Sequence, residues 1–300
     1  MRVGVDVGGS HVGLGIVDEN GKIILKKSKD YEEHKKDMSD VVLNTIKELL
    51  RDILSKSKID ISKIESIGIA IPGTVSETSI VKAENLGIRD FEIEKELRKE
   101  FDVPVRLQND AKCAAIAEKE FGSLKGYDDS MFLILGTGVG GAVFLNGKLL
   151  RPKRYSGFEV GHMVIKDNGI KCGCGRKGCY EVYSSIKRFK EKIRDEFNLP
   201  DIDGIRIENF MRENEGNEKL NEMIDTYIDD VCIGLINLID IFEPEAVSLG
   251  GSFAFYKDMF LEKLEKKIVE KNELYNTDSI PKFVVADLKN DAGIIGAAMI

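Results

Sequence analysis

The apolar positions fall into two kinds of run. Short β-branched or aliphatic runs lie between glycine turns, and longer stretches repeat at helical spacing. Residues 3–7 form the first short run, and residues 12–17 follow the turn Gly8-Gly9-Ser10. Asn20-Gly21 signals a hairpin because both residue types accept positive φ, and residues 22–27 then return as a third strand. Val41, Val42, Ile46, Leu49, Leu50, Ile53 and Leu54 share one helical stripe. Residues 64–71 predict a buried strand closed by Pro72-Gly73, and a helix over 91–101 leads to a strand over 103–107.

The same order then recurs. A strand over 131–135 meets the turn Gly136-Thr137-Gly138, a strand over 139–145 meets Asn146-Gly147, and Lys148-Leu149-Leu150 follows. A strand, glycine turn, strand, Asn-Gly turn, strand unit that occurs twice predicts two α/β domains of like topology facing each other across a cleft. Leu220, Ile224, Tyr227, Val231, Leu235, Leu238 and Phe242 are in phase on a long helix ended by Glu243-Pro244-Glu245. A strand over 246–249 runs into Gly250-Gly251-Ser252. The C-terminal segment 291–298 predicts a helix capped by Asp291, with small residues that allow close packing.

Charge narrows the function classes. Among 300 residues, 52 acidic side chains outnumber 44 basic ones, for a formal charge of −8. That balance argues against a nucleic-acid partner. The basic cluster Lys26, Lys27, Lys29, Lys35 and Lys36 is interleaved with Asp30, Glu32, Glu33 and Asp37, as a solvated surface would be. Met1-Arg2 runs directly into a strand with no apolar leader, and the longest apolar stretch, 231–242, is interrupted by Asn237 and Asp240. A cytoplasmic protein with no membrane partner is therefore expected, and its five cysteines are expected to be reduced.

Candidate chemistry gathers at the glycine turns and at one cysteine cluster. Gly136 to Gly141 matches the G-x-G-x-x-G spacing, but a strand and hairpin follow where a dinucleotide loop would open a helix. No Lys-Ser/Thr pair follows either, so it is not a P-loop. Three glycine turns that each follow a strand, with Asp6 two residues before the first, point to nucleotide phosphates. Asp6 would hold Mg²⁺ directly or through water. Cys172, Cys174 and Cys179 lie within eight residues, and with His162 they suit a closed tetrahedral shell around a structural Zn²⁺. Spacing alone leaves the fourth ligand, His162, open. Cys113 and Cys232 lie in apolar helices and read as core thiols. Asp110 opens an alanine-rich helix. It reads either as an N-cap or, beside phosphate turns, as a base for a substrate hydroxyl. Glu159 and Glu181 flank the cysteine cluster.

These residues together resemble the ROK family (repressors, open reading frames and sugar kinases) of the actin/hexokinase superfamily, over essentially the whole chain. Asp6-Val7-Gly8-Gly9-Ser10 is similar to that family's first phosphate loop, and Leu135 to Gly141 to its second. Pro72-Gly73 and Glu84-Asn85-Leu86 resemble its sugar-side loops, and Asn109-Asp110-Ala111 its catalytic segment. Glu159 to His162 with Cys172 to Glu181 resembles its zinc and sugar signature. Leu249-Gly250-Gly251 is similar to its adenosine loop, and 291–298 to its closing helix.

The resemblance implies a two-domain actin-like ATPase (ribonuclease H-like) fold with a cleft between duplicated domains. Residues 1–109 with 287–300 would form the smaller domain and 110–286 the larger. It implies a glucokinase-like enzyme that uses Mg²⁺-ATP, carries a structural Zn²⁺ and forms a homodimer. Asp110 would be the general base. Gly73, Asn85, Asn109, Glu159, His162 and Glu181 would hold the sugar. Gly8, Gly9, Ser10, Thr137 and Gly138 would cradle the phosphates, and Gly250 and Gly251 the adenosine. Two positions depart from the pattern. Ser10 stands where threonine is usual and keeps the hydroxyl. Phe158 stands where glycine is usual, beside Glu159, and bears on which C2 substituent fits. An N-acetylhexosamine kinase (GlcNAc or ManNAc) is therefore the alternative substrate reading. A sugar-sensing regulator is the alternative of another class. The first strand begins almost at Met1 and is expected to leave no room for a DNA-binding segment, and Asp110 with the intact turns argues against a non-catalytic zinc module.

Overall fold

The computed structural model describes residues 1–151, 158–200, 204–271 and 280–300. The chain divides into two compact units, one containing Met1–Gly126 and Asp287–Ile300, the other Tyr127–Leu150 and Phe158–Ala286. The helix Asp110–Phe121, expected in the second domain, belongs to the first unit. The reason is packing. It lies against the C-terminal helix Ala292–Ala298, and a Cβ on Gly296 would come 1.7 Å from the Cys113 carbonyl oxygen.

The first unit is built on strands β1 (Arg2–Val7), β2 (His11–Val17), β3 (Ile23–Asp30) and β4 (Ile67–Ile71), a small antiparallel sheet of β5 (Thr74–Val75), β6 (Ile80–Ala83) and β7 (Ile88–Phe91), and β8 (Val105–Asn109). The main sheet has the order β3-β2-β1-β4-β8, with β1–β2 and β2–β3 antiparallel and β1–β4 and β4–β8 parallel. β4 is buried at every position, as a central parallel strand covered on both faces must be, while the edge strand β3 alternates half-buried and exposed. On one face the helix Ser39–Ser57 buries Val42, Ile46, Leu49, Leu50 and Ile53, the stripe expected from the sequence. On β1 the helix Ala292–Ala298 approaches so closely that a Cβ on Gly4 would lie 1.8 Å from the Ile294 carbonyl oxygen. Asp291 does not cap that helix. Its backbone is near-helical (φ −91°, ψ −14°) after a 3₁₀ turn, and its carboxylate pairs with Lys26.

The second unit repeats the plan. Strands β9 (Ser130–Leu135), β10 (Val139–Leu145), β11 (Lys148–Leu149), β12 (Ala246–Gly250) and β13 (Lys282–Val285) have the order β11-β10-β9-β12-β13. The directions match those of the first sheet, two antiparallel pairings and then two parallel ones. The long helix Glu218–Phe242 is capped by the Asn217 side chain, which accepts from the Leu220 N–H at 3.0 Å. Phe189, Tyr227, Phe253, Tyr256 and Phe260 form its aromatic core, with Phe189 stacked on Tyr227 at 4.4 Å. Among the described residues no helix is long and apolar enough to cross a membrane.

Candidate active site and metal knuckle

In the first unit, the turn Gly8-Gly9-Ser10 joins β1 to β2 and is closed by a bond from the Gly8 N–H to the His11 carbonyl at 2.9 Å. Gly9 and Ser10 are exposed, and nothing lies within 4 Å of where a Cβ on Gly9 would stand. Asp6 sits near the end of β1. Burial, and then the Asp110 charge, push its carboxyl up to about 6, while His11 and Lys26 pull it down.

Asp110 opens the helix Asp110–Phe121, but it is not that helix's cap. Asn109 has the extended backbone of a cap (φ −60°, ψ 142°), and its side-chain oxygen accepts from the Lys112 N–H at 3.3 Å. One oxygen of Asp110 accepts from the Ala111 N–H at 2.8 Å. Desolvation raises its carboxyl above the ordinary range, against the lowering effect of its hydrogen bonds. The Asn109 amide donates to the Gly73 carbonyl at 3.2 Å, so the ends of β4 and β8 are tied together. Asn85 is exposed on the turn Glu84–Leu86, two residues beyond Ala83, whose Cα lies 3.0 Å from a Cβ built on Gly73. Gly73, Asn85, Asn109, Asp110 and Asp6 thus all belong to the first unit.

In the second unit, the turn Gly136-Thr137-Gly138 joins β9 to β10, with Thr137 exposed. Glu181 reaches it directly, and its Oε2 accepts from the Val139 N–H at 3.1 Å. A Cβ on Gly138 would fall 2.4 Å from that same oxygen, so a larger residue there would displace the carboxylate. Glu159 is exposed at the start of the 3₁₀ turn Val160–His162, which packs so tightly on β10 that a Cβ on Gly161 would lie 2.2 Å from the Val139 carbonyl. The turn after β12 follows Gly250, and Gly251 takes φ +70°. A cavity of about 260 Å³ opens between Gly136, Thr137 and Ser252 on one side and Lys187, Lys190 and Arg194 on the other. Those three cations escaped the sequence reading. Their signal was the i, i+3, i+7 spacing on the helix Ile186–Glu196, which resembles any solvated helix face.

His162, Cys172, Cys174 and Cys179 place their ligand atoms within 4.8 Å of one another. Cys174 and Cys179 sulfurs are 3.6 Å apart, and the Cys172 sulfur is 3.8 Å from His162 Nδ1. Zn–S bonds of about 2.3 Å in a tetrahedron set sulfurs about 3.8 Å apart, so the chemistry and the closest spacings of this donor set fit zinc. The backbone makes this possible. Cys172 N–H donates to the Arg176 carbonyl at 2.8 Å, Gly178 N–H to Ile170 at 2.8 Å, and Gly175 and Gly178 take φ +92° and +77°. Hydrogen bonds from Arg176 draw the Cys174 thiol down to about 6, while burial first, and its cysteine neighbours next, push Cys179 up to about 12. The Glu181 Oε1 lies 3.9 Å from the Cys172 sulfur, so one carboxylate touches both the knuckle and the glycine turn.

Two α/β units of the same strand order, each with a glycine turn after its first strand, define the actin-like ATPase fold. A streptomycete relative with this fold, a ROK family glucokinase from Streptomyces griseus solved in complex with glucose and AMPPNP, superposes with a TM-score of 0.82 at 25% identity, covering 99% of this chain and 98% of that one. The ROK family model matches residues 2–300, and the chain belongs to the ROK family. A glucokinase of Thermotoga maritima is 30% identical over 99% of this chain and 96% of its own length. A xylose repressor of Bacillus subtilis is 30% identical over 89% of this chain and 68% of its own length.

Proposed function

We propose that this chain transfers the γ-phosphoryl group of ATP to the 6-hydroxyl of glucose or a closely related hexose, with Asp110 as the general base. The class, a sugar kinase, follows from family membership and the glucokinase relatives. The observation that carries the base assignment is the division of labour at the start of one helix: Asn109 does the capping, and Asp110 is left with a raised carboxyl. A carboxylate more basic than usual is a better acceptor for the hydroxyl proton. As that proton moves to Asp110, the sugar oxygen bonds to the γ-phosphorus, the bond to the bridging oxygen breaks and ADP departs.

The remaining roles follow the fold. Gly8, Gly9, Ser10, Thr137 and Gly138 form the two turns that cradle the phosphates. Gly250 and Gly251 border the adenosine, next to the cavity lined by Lys187 and Lys190. Gly73, Asn85, Asn109, Glu159, His162 and Glu181 hold sugar hydroxyls. Asp6 is suited to Mg²⁺, since a nearby cation offsets the burial, and the lesser repulsion from Asp110, that raise its pKa. Mg²⁺, when bound, neutralises phosphate charge. The knuckle residues His162, Cys172, Cys174 and Cys179 hold Zn²⁺, which supplies rigidity rather than chemistry. The chain is expected to pair as a homodimer, which sedimentation would register.

A second substrate reading has its own observation. Phe158 takes φ +60°, a left-handed conformation unfavourable for a ring-bearing residue, and its ring packs edge-on against Phe242 at 5.5 Å. A ring beside Glu159 bears on which C2 substituent fits, and an N-acetylhexosamine is the competing substrate. ADP release measured with glucose, mannose, fructose, N-acetylglucosamine and N-acetylmannosamine decides between them. Turnover with an unmodified hexose supports the proposal, and turnover with an N-acetylated sugar alone moves the substrate to the second reading. No turnover in folded, zinc-replete protein sinks the kinase assignment in favour of a sugar-sensing role.

A further inference from the structure

β3 ends at Asp30, paired with His11, and the next residue folds back over the first glycine turn. Tyr31 is only 7% exposed. Two bonds run from it to the turn. Its backbone N–H donates to the Ser10 carbonyl at 3.0 Å, and its phenol O–H donates to the Gly8 carbonyl at 2.9 Å. Described peptide bonds are all trans, and in a trans peptide the C=O and the following N–H point in opposite directions. A Gly8 carbonyl turned toward Tyr31 therefore turns the Gly9 N–H away from it. The Ser10 carbonyl does the same for the His11 N–H. On the Gly9 side there is open space, with nothing within 4 Å of an added Cβ. A Gly9 N–H turned away from Tyr31 on this exposed turn is what an oxyanion requires, and a Gly8 carbonyl facing that way would repel one.

We infer that Tyr31 is a positioning residue for the phosphoryl donor, its hydroxyl holding the Gly8-Gly9-Ser10 turn in the orientation that presents N–H groups to phosphate. The inference rests on reading that turn as a phosphate cradle. Tyr31 itself touches no phosphate and acts through the Gly8 peptide. Burial, with the Asp6 charge as a lesser cause, holds the phenol well above the usual tyrosine range, so the hydroxyl remains a donor throughout the working pH range. His34 packs edge-on against the ring at 5.9 Å, which leaves the ring fixed when the hydroxyl alone is removed.

Tyr31→Phe deletes that bond and keeps the ring. The loss of one hydrogen bond that orients the turn predicts a roughly 5-fold rise in the KM for ATP and in the Kd for a non-hydrolysable ATP analogue. The KM for sugar should stay unchanged. A residue that served only packing would lower Tm and leave the nucleotide constants alone, and that result overturns the inference. Gly9→Val, which fills the open side of the turn, serves as the control. If it weakens analogue binding while Tyr31→Phe does not, the role of Tyr31 falls and the phosphate cradle stands. If neither variant weakens binding, the cradle reading falls and the inference falls with it.

Discussion

The two units share a strand order and differ in how they hold their glycine turns. In the first, a neutral donor does it, the Tyr31 hydroxyl on the Gly8 carbonyl. In the second, an anion does it, the Glu181 carboxylate on the Val139 N–H. That carboxylate also lies 3.9 Å from the Cys172 sulfur of the knuckle, and nothing comparable backs the first turn among the described residues. The carboxylates proposed to serve catalysis are distributed the other way. Asp6 and Asp110 stand in the first unit, where burial raises both carboxyls and the Asp110 charge adds to the rise at Asp6. One topology therefore carries the carboxylates of the proposed proton transfer in one copy and a turn backed by the Cys/His knuckle in the other. The lesson is that a duplicated sheet specifies where turns fall, while residues outside the repeat decide what each turn does.

This contrast can be broken at several points. The largest effect is expected at Asp110. Asp110→Asn should lower kcat by about 10²–10⁴-fold, the usual scale for losing a general base. Its circular dichroism should stay unchanged, because Asn109 retains the cap. A variant that loses helix content as well as rate would return Asp110 to a structural role.

Metal removal should separate the units. Chelation, or Cys179→Ser, should lower Tm by about 10 °C through the second unit. Hydrogen exchange should increase over the knuckle and the Gly136–Val139 turn, and the β1–β2 turn should keep its protection. Equal loosening of both turns would show that the brace is not local. Elemental analysis should give about one zinc per chain.

Asp6 links charge to stability with a definite sign. Its folded pKa of about 6 lies above the ordinary aspartate value of about 3.9, so the folded state binds the extra proton. Its contribution is favourable below about pH 4 and is lost as pH rises through 6. Asp6→Asn should therefore stabilise the protein by about 2 kcal/mol at pH 7, with the gain vanishing near pH 4 in urea titrations. If Asp6 must be ionised to serve the donor, kcat/KM for ATP should rise with pH through about 6 in the wild type. A flat profile from pH 5 to 8 would remove Asp6 from the donor site.

The smallest effect sharpens the second turn. Gly138→Ala puts a methyl where the Glu181 oxygen sits, 2.4 Å away. A displaced carboxylate frees the Val139 N–H and should raise the KM for ATP by about 10-fold, with Tm changed by only a few degrees. An unchanged KM would show that the turn does not need that carboxylate.

The duplication was readable because turns constrain residue type more than strands do. Asn146 and Gly147 take φ +52° and +72°, and Gly21 takes +76°. The sheet β5–β7 escaped because β5 has two residues and β6 and β7 have four each, too few to show a period. The helix Ile93–Arg98 is accordingly shorter than expected. Asp110 read as the cap in the sequence, and only the extended backbone at Asn109 moves that role to its neighbour. Asp291 carries the right side chain for a cap but stands in a near-helical conformation that sequence does not reveal. The knuckle was visible because cysteine spacing and glycine have few other uses. The Glu181 contact was not, since a carboxylate two residues beyond a cysteine can face any way. The left-handed backbone at Phe158 is hidden by the phenylalanine itself, and its one hint is the glycine usual at that position in the resembling family.

Phosphorus NMR of the wild-type protein with Mg²⁺-ATP and glucose addresses the central claim most directly, because it follows the phosphoryl group itself. The predicted result is loss of the γ resonance matched by a sugar 6-phosphate monoester, absent with Asp110→Asn. Transfer to water alone, giving inorganic phosphate whether or not sugar is present, would contradict it.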